Sequence, residues 1–216
     1  MGYFIIGDIH GCYHSFRALL ENWDSKKETL VCVGDYIDRG NFSPEVIETC
    51  KSLQLEYRER TVFLKGNHEL LMQSHLEEGY NGTWLQHGGQ GTLDQFFNLN
   101  TDPYQSLEWI RSLPVFYETA QLMVTHAGVT HTDYPFFQNN PDGVLWTRGP
   151  LKHLNKLQVH GHTPLMAEAP AYTEAGNSWN IDTGACYGHG LTGLKVDTEG
   201  TMTEFLFEKT HPQDIG

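Results

Sequence analysis

Three short glycine-flanked segments, each directly after an apolar run, place the strongest constraint on how this chain can fold. They read GDIHG at 7–11, GDYIDRG at 34–40 and GNHE at 66–69. Asp35 follows Asp8 by 27 positions, and Asn67 follows Asp35 by 32. Because one β-α-β unit takes roughly 30 residues, this spacing predicts three neighbouring parallel strands. The carboxyl ends of such strands meet at one edge of the sheet, where open α/β sheets bind their ligands.

The segments between and after these motifs have the pattern of helices. Apolar residues recur at helical spacing within 13–23, and residues 69–113 read as largely helical. A further helix is expected from position 43 to about 53, with Ser43 as its N-cap and Pro44 in its first turn. Strand, loop and helix therefore alternate through the first half, which is typical of an α/β protein.

After Pro114 the pattern changes to short strand-like runs separated by Gly, Pro, Asp and Asn. The runs are 115–118, 122–125, 156–159, 179–181, 193–196 and 202–207. We expect them to form a second sheet, with strand ends at His126 and at 160–162. A single domain covering 1–216, with two packed sheets and flanking helices, is the simplest architecture. The tail at about 209–216 is expected to lack defined structure.

Composition narrows the class of protein. Of the 216 residues, 39% are hydrophobic and 19% are charged, as in soluble globular proteins. No run approaches the roughly 20 apolar residues of a membrane span, no secretory signal pattern is present, and the four cysteines lack C-x-x-C spacing. We therefore expect a cytoplasmic protein. The net charge of −13 disfavours nucleic acid and anionic membranes as partners, and a monomer is the favoured state.

Side chains suited to metal ions follow the predicted strands of the first half. Asp8 and His10 stand two positions apart just after a strand, so both can reach one ion across the turn. Asp35 has two carboxylate oxygens and can therefore bridge two cations. Asn67 offers an amide oxygen, which adds a ligand without adding negative charge.

Two imidazoles of the second half complete this ligand set. His126 and His162 each follow a predicted strand, in the segments THAG and HGHT. The mixture of oxygen and nitrogen ligands suits borderline transition metals such as Mn, Fe, Co or Zn. Two such ions can polarise a phosphoryl oxygen and generate a nucleophilic water near neutral pH.

Other polar residues of the motifs are candidates for proton transfer and for phosphate binding. If Asp38 accepts a hydrogen bond from one ring nitrogen of His68, the other nitrogen can protonate a leaving alkoxide. Arg39 and Arg148 have planar guanidinium groups that can hold phosphate oxygens.

Taken together, the motifs resemble those of the metal-dependent phosphoprotein phosphatases among the calcineurin-like metallophosphoesterases. HAG at 126–128, GHTP at 161–164 and DTGA at 182–185 follow the first three motifs in the same order. The resemblance runs from residue 5 to about 196, and the phage and bacterial branch is the most similar. It implies an α/β fold of two packed mixed β-sheets flanked by helices, in four layers αββα.

The resemblance also implies a role for individual residues. One metal ion would be held by Asp8, His10 and Asp35, and a second by Asp35, Asn67, His126 and His162. Asp38 and His68 would form the proton-donating pair. Phosphate would be bound by Arg39, Asn67, Arg148 and, in the place of an arginine, Lys65. The expected cofactors are two divalent ions, Mn first, with Fe, Zn, Co and Ni as alternatives.

The activity implied is that of a phosphomonoesterase acting on phosphoserine and phosphothreonine in proteins, and also on phosphotyrosine or small phosphoesters. Water activated by the two metals would attack phosphorus, with His68 as the general acid. The segment WLQHGG at 84–89 has His87 where the phage branch has Asn, and His160 is an additional imidazole beside His162.

Three alternatives stay open. The segment GDIHGC through Cys12 and the DTG at 182–184 are similar to symmetrical diadenosine tetraphosphate hydrolases, although Asp38 and Glu69 match the protein-phosphatase form better. A cyclic-nucleotide phosphodiesterase could use the same kind of site. A metal-binding scaffold without activity is the non-enzymatic alternative.

Overall fold

The computed structural model describes residues 2–216, which contain ten strands in two five-stranded sheets. The strands are β1 (Gly2–Ile6), β2 (Glu28–Cys32), β3 (Thr61–Phe63), β4 (Phe116–Glu118), β5 (Leu122–Thr125), β6 (Leu157–His160), β7 (Ala171–Thr173), β8 (Ser178–Asn180), β9 (Gly190–Asp197) and β10 (Met202–Lys209). The first sheet has the order β10-β9-β1-β2-β3 and the second β4-β5-β6-β8-β7. Both sheets are mixed, which confirms the predicted α/β class.

The parallel arrangement of β1, β2 and β3 is confirmed, but the prediction that every later strand joins the second sheet is wrong. β9 pairs antiparallel with the free edge of β1, and β10 pairs with β9. The physical reason is that β1 is buried, so the backbone N–H and C=O groups on its second edge need partners that water cannot supply. The short edge strand β7 was not predicted.

Six α-helices connect and cover the strands of the first half. They are α1 (Tyr13–Leu20), α2 (Ser43–Tyr57), α3 (Asn67–Glu78), α4 (Gly82–Trp84), α5 (Gln90–Asn98) and α6 (Leu107–Ser112). The helix predicted for 13–23 ends earlier, and the one predicted from 43 to 53 runs longer. Ser43 is not its N-cap, because Phe42 has that position and the Ser43 hydroxyl accepts the backbone N–H of Asp38 instead. Among the described residues, no helix has the length and apolarity to cross a membrane.

The apolar core lies in layers on both sides of the first sheet. Between the two sheets, side chains such as Ile5, Val31, Val124 and Leu194 are fully buried. The helices cover the opposite face of the first sheet. The outer face of the second sheet is covered by buried loop residues, including Val144, in a segment where the structure describes no helix between β5 and β6.

The prediction that the tail at 209–216 lacks defined structure is contradicted. Asp214 is fully buried and accepts hydrogen bonds from the backbone N–H groups of His14 and Ser15, both at 2.9 Å, and from the Ser15 hydroxyl at 2.6 Å. A carboxylate is favourable here because the first N–H groups of a helix have no partner within the helix. The tail therefore closes the N-terminus of α1.

Candidate active site

The loops that follow β1, β2, β3 and β6 converge at one edge of the molecule, and the motif spacing predicted this for the first three. Five non-glycine residues in these loops have left-handed backbone angles, with φ between 48° and 73°: His10, Asp35, Asp38, Arg39 and His162. Such conformations cost of order 1–3 kcal/mol each and persist only where the surrounding structure enforces them. Their concentration at this edge marks it as a functional site.

Glu69 braces the loop that follows β2 and the loop that follows β3. One of its carboxylate oxygens accepts the N–H groups of Asp35 and Gly66, each at 2.9 Å, and the other accepts the N–H of Tyr36 at 2.8 Å. A side chain at position 66 has no room, because its Cβ would lie 2.1 Å from Asp35 Oδ1. This explains in physical terms why a glycine precedes Asn67.

Backbone carbonyls fix the orientation of three imidazoles. His10 Nδ1 lies 2.8 Å from the Ile37 carbonyl, and His126 Nδ1 lies 3.2 Å from the Val33 carbonyl. His162 bonds through its other nitrogen, Nε2, at 3.1 Å from a main-chain oxygen. Since a carbonyl only accepts, each of these nitrogens carries a hydrogen, and the opposite nitrogen of each ring keeps its lone pair for a ligand.

The free ring nitrogens and the acidic and amide oxygens face one another. Asp35 Oδ2 lies 3.4 Å from both His10 Nε2 and His126 Nε2. Asn67 Oδ1 lies 2.9 Å from His126 Nε2 and 3.0 Å from His162 Nδ1. The predicted ligands of the second ion therefore lie together, and Asp35 lies between His10 on one side and His126 on the other.

Two sets of ligand atoms are close enough to hold one ion each. They are His10, Asp35 and His68, and Asp35, His126 and His162, with all ligand atoms of a set within 4.8 Å of one another. The donor chemistry fits divalent transition metals. When bound, such ions supply Lewis-acid polarisation of a phosphoryl oxygen and lower the pKa of water.

Buried acidic groups around these sets also fit cations. Burial, followed by the charges of Asp182 and Asp35, raises the pKa of Asp8 well above its ordinary value. Burial likewise raises the pKa of Asp182 to about 7. The unfavourable energy of several neighbouring buried carboxylates is offset when a cation neutralises them. Asp182 was not among the predicted site residues, although its DTGA motif was recognised.

Asp8, predicted as a ligand of the first ion, belongs to neither of these two sets. Its two oxygens accept the backbone N–H of His162, at 3.2 and 3.0 Å. The loop at 161 passes so close that a Cβ on Gly161 would lie 1.9 Å from Asp8 Oδ1. Asp8 therefore couples the first loop of the chain to the loop that carries a ligand from the second sheet.

The imidazoles have the protonation state that metal ligands need. Burial lowers the pKa of His10 and of His126 below their ordinary value, and that of His162 to about 3. Burial alone would raise the pKa of Asp35, but the surrounding imidazoles outweigh it and lower that pKa. Neutral imidazoles and an ionised carboxylate are therefore available near neutral pH.

The predicted proton-donating pair is assembled. His68 Nδ1 lies 2.5 Å from Asp38 Oδ2, and His68 Nε2 faces the ligand set, 4.0 Å from Asp35 Oδ2. Burial lowers the pKa of His68, but Asp35 and Asp38 outweigh burial, so the net shift is upward. With its Nδ1 hydrogen donated to Asp38, His68 can take up a second proton at Nε2 and then act as a general acid.

Two residues that the sequence analysis did not select hold Asp38 in place. Thr92 Oγ1 donates to Asp38 Oδ1 at 2.6 Å, and Trp84 Nε1 donates to Asp38 Oδ2 at 2.9 Å. In the segment WLQHGG the side chain at the site is therefore Trp84. His87 is exposed and bonds the Thr83 carbonyl.

The glycines of that segment allow a close approach to the loop of the second motif. Gly88 has a φ of +118°, and a Cβ there would lie 2.8 Å from Asp38 Cβ and 2.9 Å from the Arg39 nitrogen. The kink at 87–88 thus brings the helical segment against the loop of the second motif.

The two candidate phosphate-binding arginines differ in their surroundings. Arg39 is held, because Nη1 lies 2.6 Å from His10 Nε2 and Nη2 lies 3.0 Å from His68 Nε2, and its guanidinium lies over the Tyr187 ring. Arg148 is exposed and has one long bond, 3.5 Å, to Thr163. Arg39 donates to the nitrogen of His10 that a metal ion would also use.

Lys65 and His160 lie outside the two ligand sets. Lys65 is buried, and its ammonium donates to Gln73 at 2.9 Å and to Gln138 at 3.5 Å. His160 bonds the Gly161 carbonyl through Nδ1, and burial lowers its pKa to about 4. Within the described residues, neither makes a hydrogen bond to a predicted metal ligand, so the structure gives Lys65 no direct link to the phosphate site.

Comparisons with known proteins agree with this geometry. Residues 1–197 match the family described as calcineurin-like phosphoesterase. The chain is 29% identical, over 256 aligned positions, to a bis(5′-nucleosyl)-tetraphosphatase PrpE [asymmetrical] of Anoxybacillus flavithermus, covering 99% of this chain and 100% of that protein. It is 32% identical over 212 positions to serine/threonine-protein phosphatase 1 of Salmonella typhimurium, covering 89% and 90%.

Solved structures support the fold. A metallophosphoesterase from Sphaerobacter thermophilus superposes with a TM-score of 0.67, at 14% identity, covering 98% of this chain and 90% of that one. The family match spans nine of the ten strands and all the loops that carry the candidate metal ligands. The chain belongs to the calcineurin-like phosphoesterase family.

Proposed function

We propose that this protein hydrolyses bis(5′-nucleosyl) tetraphosphates asymmetrically, to a nucleoside triphosphate and a nucleoside monophosphate. The observation that carries the proposal is the similarity to proteins of that name along the whole chain, with 31% identity and at least 98% coverage of both chains for the one from Bacillus mycoides. Within that similarity the ligand sets around Asp35 are complete.

The reaction adds water across one P–O–P bridge. The attacked phosphate becomes the monophosphate, and the triphosphate leaves with the bond's electron pair as a stable anion. Arg39 and Arg148 supply the guanidinium groups that hold the charged oxygens, and Asn67, beside His126 and His162, supplies an amide. We propose two divalent ions as cofactors, with Mn as the first choice and Fe, Zn, Co and Ni as alternatives.

A second candidate is the hydrolysis of phosphoserine and phosphothreonine, favoured by the Asp38–His68 pair. A serine or threonine alkoxide is a poor leaving group and needs a proton, which a tetraphosphate does not. The Salmonella typhimurium relative named as a serine/threonine-protein phosphatase supports the same candidate.

The test is a comparison of substrates with the manganese-loaded protein. Diadenosine tetraphosphate and a phosphoserine peptide are assayed side by side, and the nucleotide products are separated by chromatography. ATP plus AMP, with kcat/KM above that for the peptide, is the expected result. Two molecules of ADP would contradict asymmetric cleavage, a preference for the peptide would establish the second candidate, and no release from either would favour the non-enzymatic scaffold.

Metal content and assembly are tested on the same preparation. Elemental analysis should find about two divalent ions per chain if both ligand sets are filled. A monomer in the cytoplasm, without nucleic-acid or membrane partners, stays a prediction from composition, and sedimentation measures the assembly state directly.

A further inference from the structure

A small cavity of about 260 Å³ lies beside Arg148. Its walls are partly apolar, with Leu151, Leu165 and Ala171, and partly polar, with His160 and Asn180. None of the functional roles described above uses this cavity.

The cavity adjoins the metal-ligand set at several points. Ala127 and Thr163, which line it, directly follow His126 and His162 in the chain. Arg148 lines the cavity and is also bonded to Thr163 at 3.5 Å. A phosphate held by Arg148 therefore has its organic substituent within reach of the cavity.

His160 provides the unpaired polar atom in the wall. Its Nδ1 lies 3.2 Å from the Gly161 carbonyl, which can only accept, so that nitrogen carries the hydrogen. Nε2 has no hydrogen-bond partner among the described residues. In this tautomer Nε2 is an acceptor, and it fits a ligand that presents an N–H group.

We propose that the cavity binds the nucleobase of the nucleotide whose phosphate lies at the metal site, with His160 Nε2 accepting from an exocyclic amino group. The proposal rests on the proposed function, in that it takes a nucleotide as substrate. Adenine and cytosine present such a donor, whereas the corresponding position of hypoxanthine or uracil is a carbonyl, which would face Nε2 with a second acceptor.

The size and chemistry of the cavity favour a base over a peptide. Sites for drug-sized ligands enclose about 300–1,000 Å³, so this cavity suits one flat heterocycle. The apolar side chains of Leu151 and Leu165 provide contact surface for its faces, and Asn180 and His160 provide polar contacts at the edge.

The experiment measures competitive inhibition of p-nitrophenyl phosphate hydrolysis by AMP and by IMP, which differ in the 6-amino or 6-oxo group and in the hydrogen that IMP carries on N1. We expect AMP to bind about five- to tenfold more tightly in the manganese-loaded protein, which is the effect of one hydrogen bond. In His160→Phe the ratio of the two inhibition constants should fall to about one. His153→Phe, a substitution of an exposed histidine outside the cavity, is the matched control and should keep the ratio.

A second variant covers the case in which His160→Phe folds poorly. Ala171→Leu on the edge strand β7 fills part of the cavity and should weaken AMP several-fold relative to ribose 5-phosphate. Equal inhibition by AMP and IMP, or a difference that survives in His160→Phe, overturns the proposal. If AMP and IMP are distinguished but no tetraphosphate is cleaved, the base site stands and the proposed function fails. If the tetraphosphate is cleaved but AMP and IMP inhibit equally, the proposed function stands and the base site fails.

Discussion

The two sides of the metal-ligand set are built differently. On the proton side, which comprises Asp38, His68, Trp84 and Thr92, every side chain is buried and the hydrogen bonds between the side chains measure 2.5–2.9 Å. On the open side, which comprises Arg148, His160 and Thr163, the arginine is exposed and its one bond to the protein measures 3.5 Å.

We relate the rigid side to proton transfer, which needs one geometry, and the open side to the part of the substrate that varies. Proton transfer needs a fixed geometry, because a general acid must lie within hydrogen-bond distance of the leaving oxygen. The substituent on the phosphate differs from one substrate to another, and a loosely bonded, exposed arginine beside a cavity can accept several. Mutations on the two sides should therefore have different signatures.

The largest effect is expected between the two sides, at Asp35. Asp35→Asn removes the carboxylate that both ligand sets share, and activity on every substrate should fall by more than about 100-fold, beyond the usual loss for a residue that only orients a ligand. Elemental analysis should show less metal per chain. Full metal occupancy in this variant would contradict the placement of Asp35 at both sites.

On the proton side, His68→Asn should separate the two candidate substrates. Hydrolysis of a phosphoserine peptide should fall by about 10²–10⁴-fold, the range for loss of a general acid. Cleavage of diadenosine tetraphosphate should fall far less, since its leaving group needs no proton. Metal content is the control, because His68 also lies within one ligand set; equal losses on both substrates would argue against the acid role.

On the open side, Arg148→Met should lower kcat/KM on both substrates by about 10–100-fold, the value of a charge-assisted hydrogen bond to phosphate. The ratio between the substrates should stay unchanged, in contrast to His68→Asn. Arg111→Met, at an exposed arginine paired with Glu77 and Glu108, is the matched control. A change confined to the phosphoserine peptide would place Arg148 with the proton side.

Thr92→Val should have a smaller effect with the same signature as His68→Asn. It removes one donor to Asp38 while keeping the shape of the side chain, and we expect a loss of about five- to tenfold on the phosphoserine peptide. Thr83→Val, at an exposed position, should be neutral. If both substrates slow equally, Thr92 has only a structural role.

The last prediction concerns stability rather than activity, and it is a pH dependence that involves Asp182. Because its pKa in the folded state, about 7, lies above its ordinary value of 3.8, its stabilising contribution is complete below pH 4 and is lost as the pH rises towards 7. In urea unfolding of the metal-free protein, the free energy of unfolding should decline between pH 5 and 8, and Asp182→Asn should reduce that decline by about 2–3 kcal/mol. Asp133→Asn, at an exposed position, should leave the slope unchanged.

Local patterns were enough to predict that the candidate metal-ligating side chains lie in loops at one edge of the molecule. Asp8, Asp35 and Asn67 follow strands whose order and direction are set by short β-α-β connections, so their meeting at one edge follows from spacing. His126 and His162 were found because each directly follows an apolar run. The oxygen and nitrogen donors themselves then limit the chemistry.

What the sequence could not show depends on distant packing. The pairing of β9 with β1 joins residues almost 190 positions apart, and no local pattern encodes the partner. Trp84 was overlooked in favour of His87 because the kink at 87–88 turns the imidazole outward and the indole inward. The Lys65 ammonium donates to two glutamines, one of them in a distant loop. The position of Lys65 in the motif, where relatives have arginine, therefore did not show where its side chain points.

The place of β1 has a consequence for synthesis of the chain. β1 is the first strand to emerge, yet it lies between β2 and β9, and Asp214 closes the helix that follows it. Because a chain is made from its N-terminus onward, the loop with Asp8 and His10 must wait for residues 190–214 before these neighbours arrive. Until then one edge of β1 is exposed to pairing with other strands.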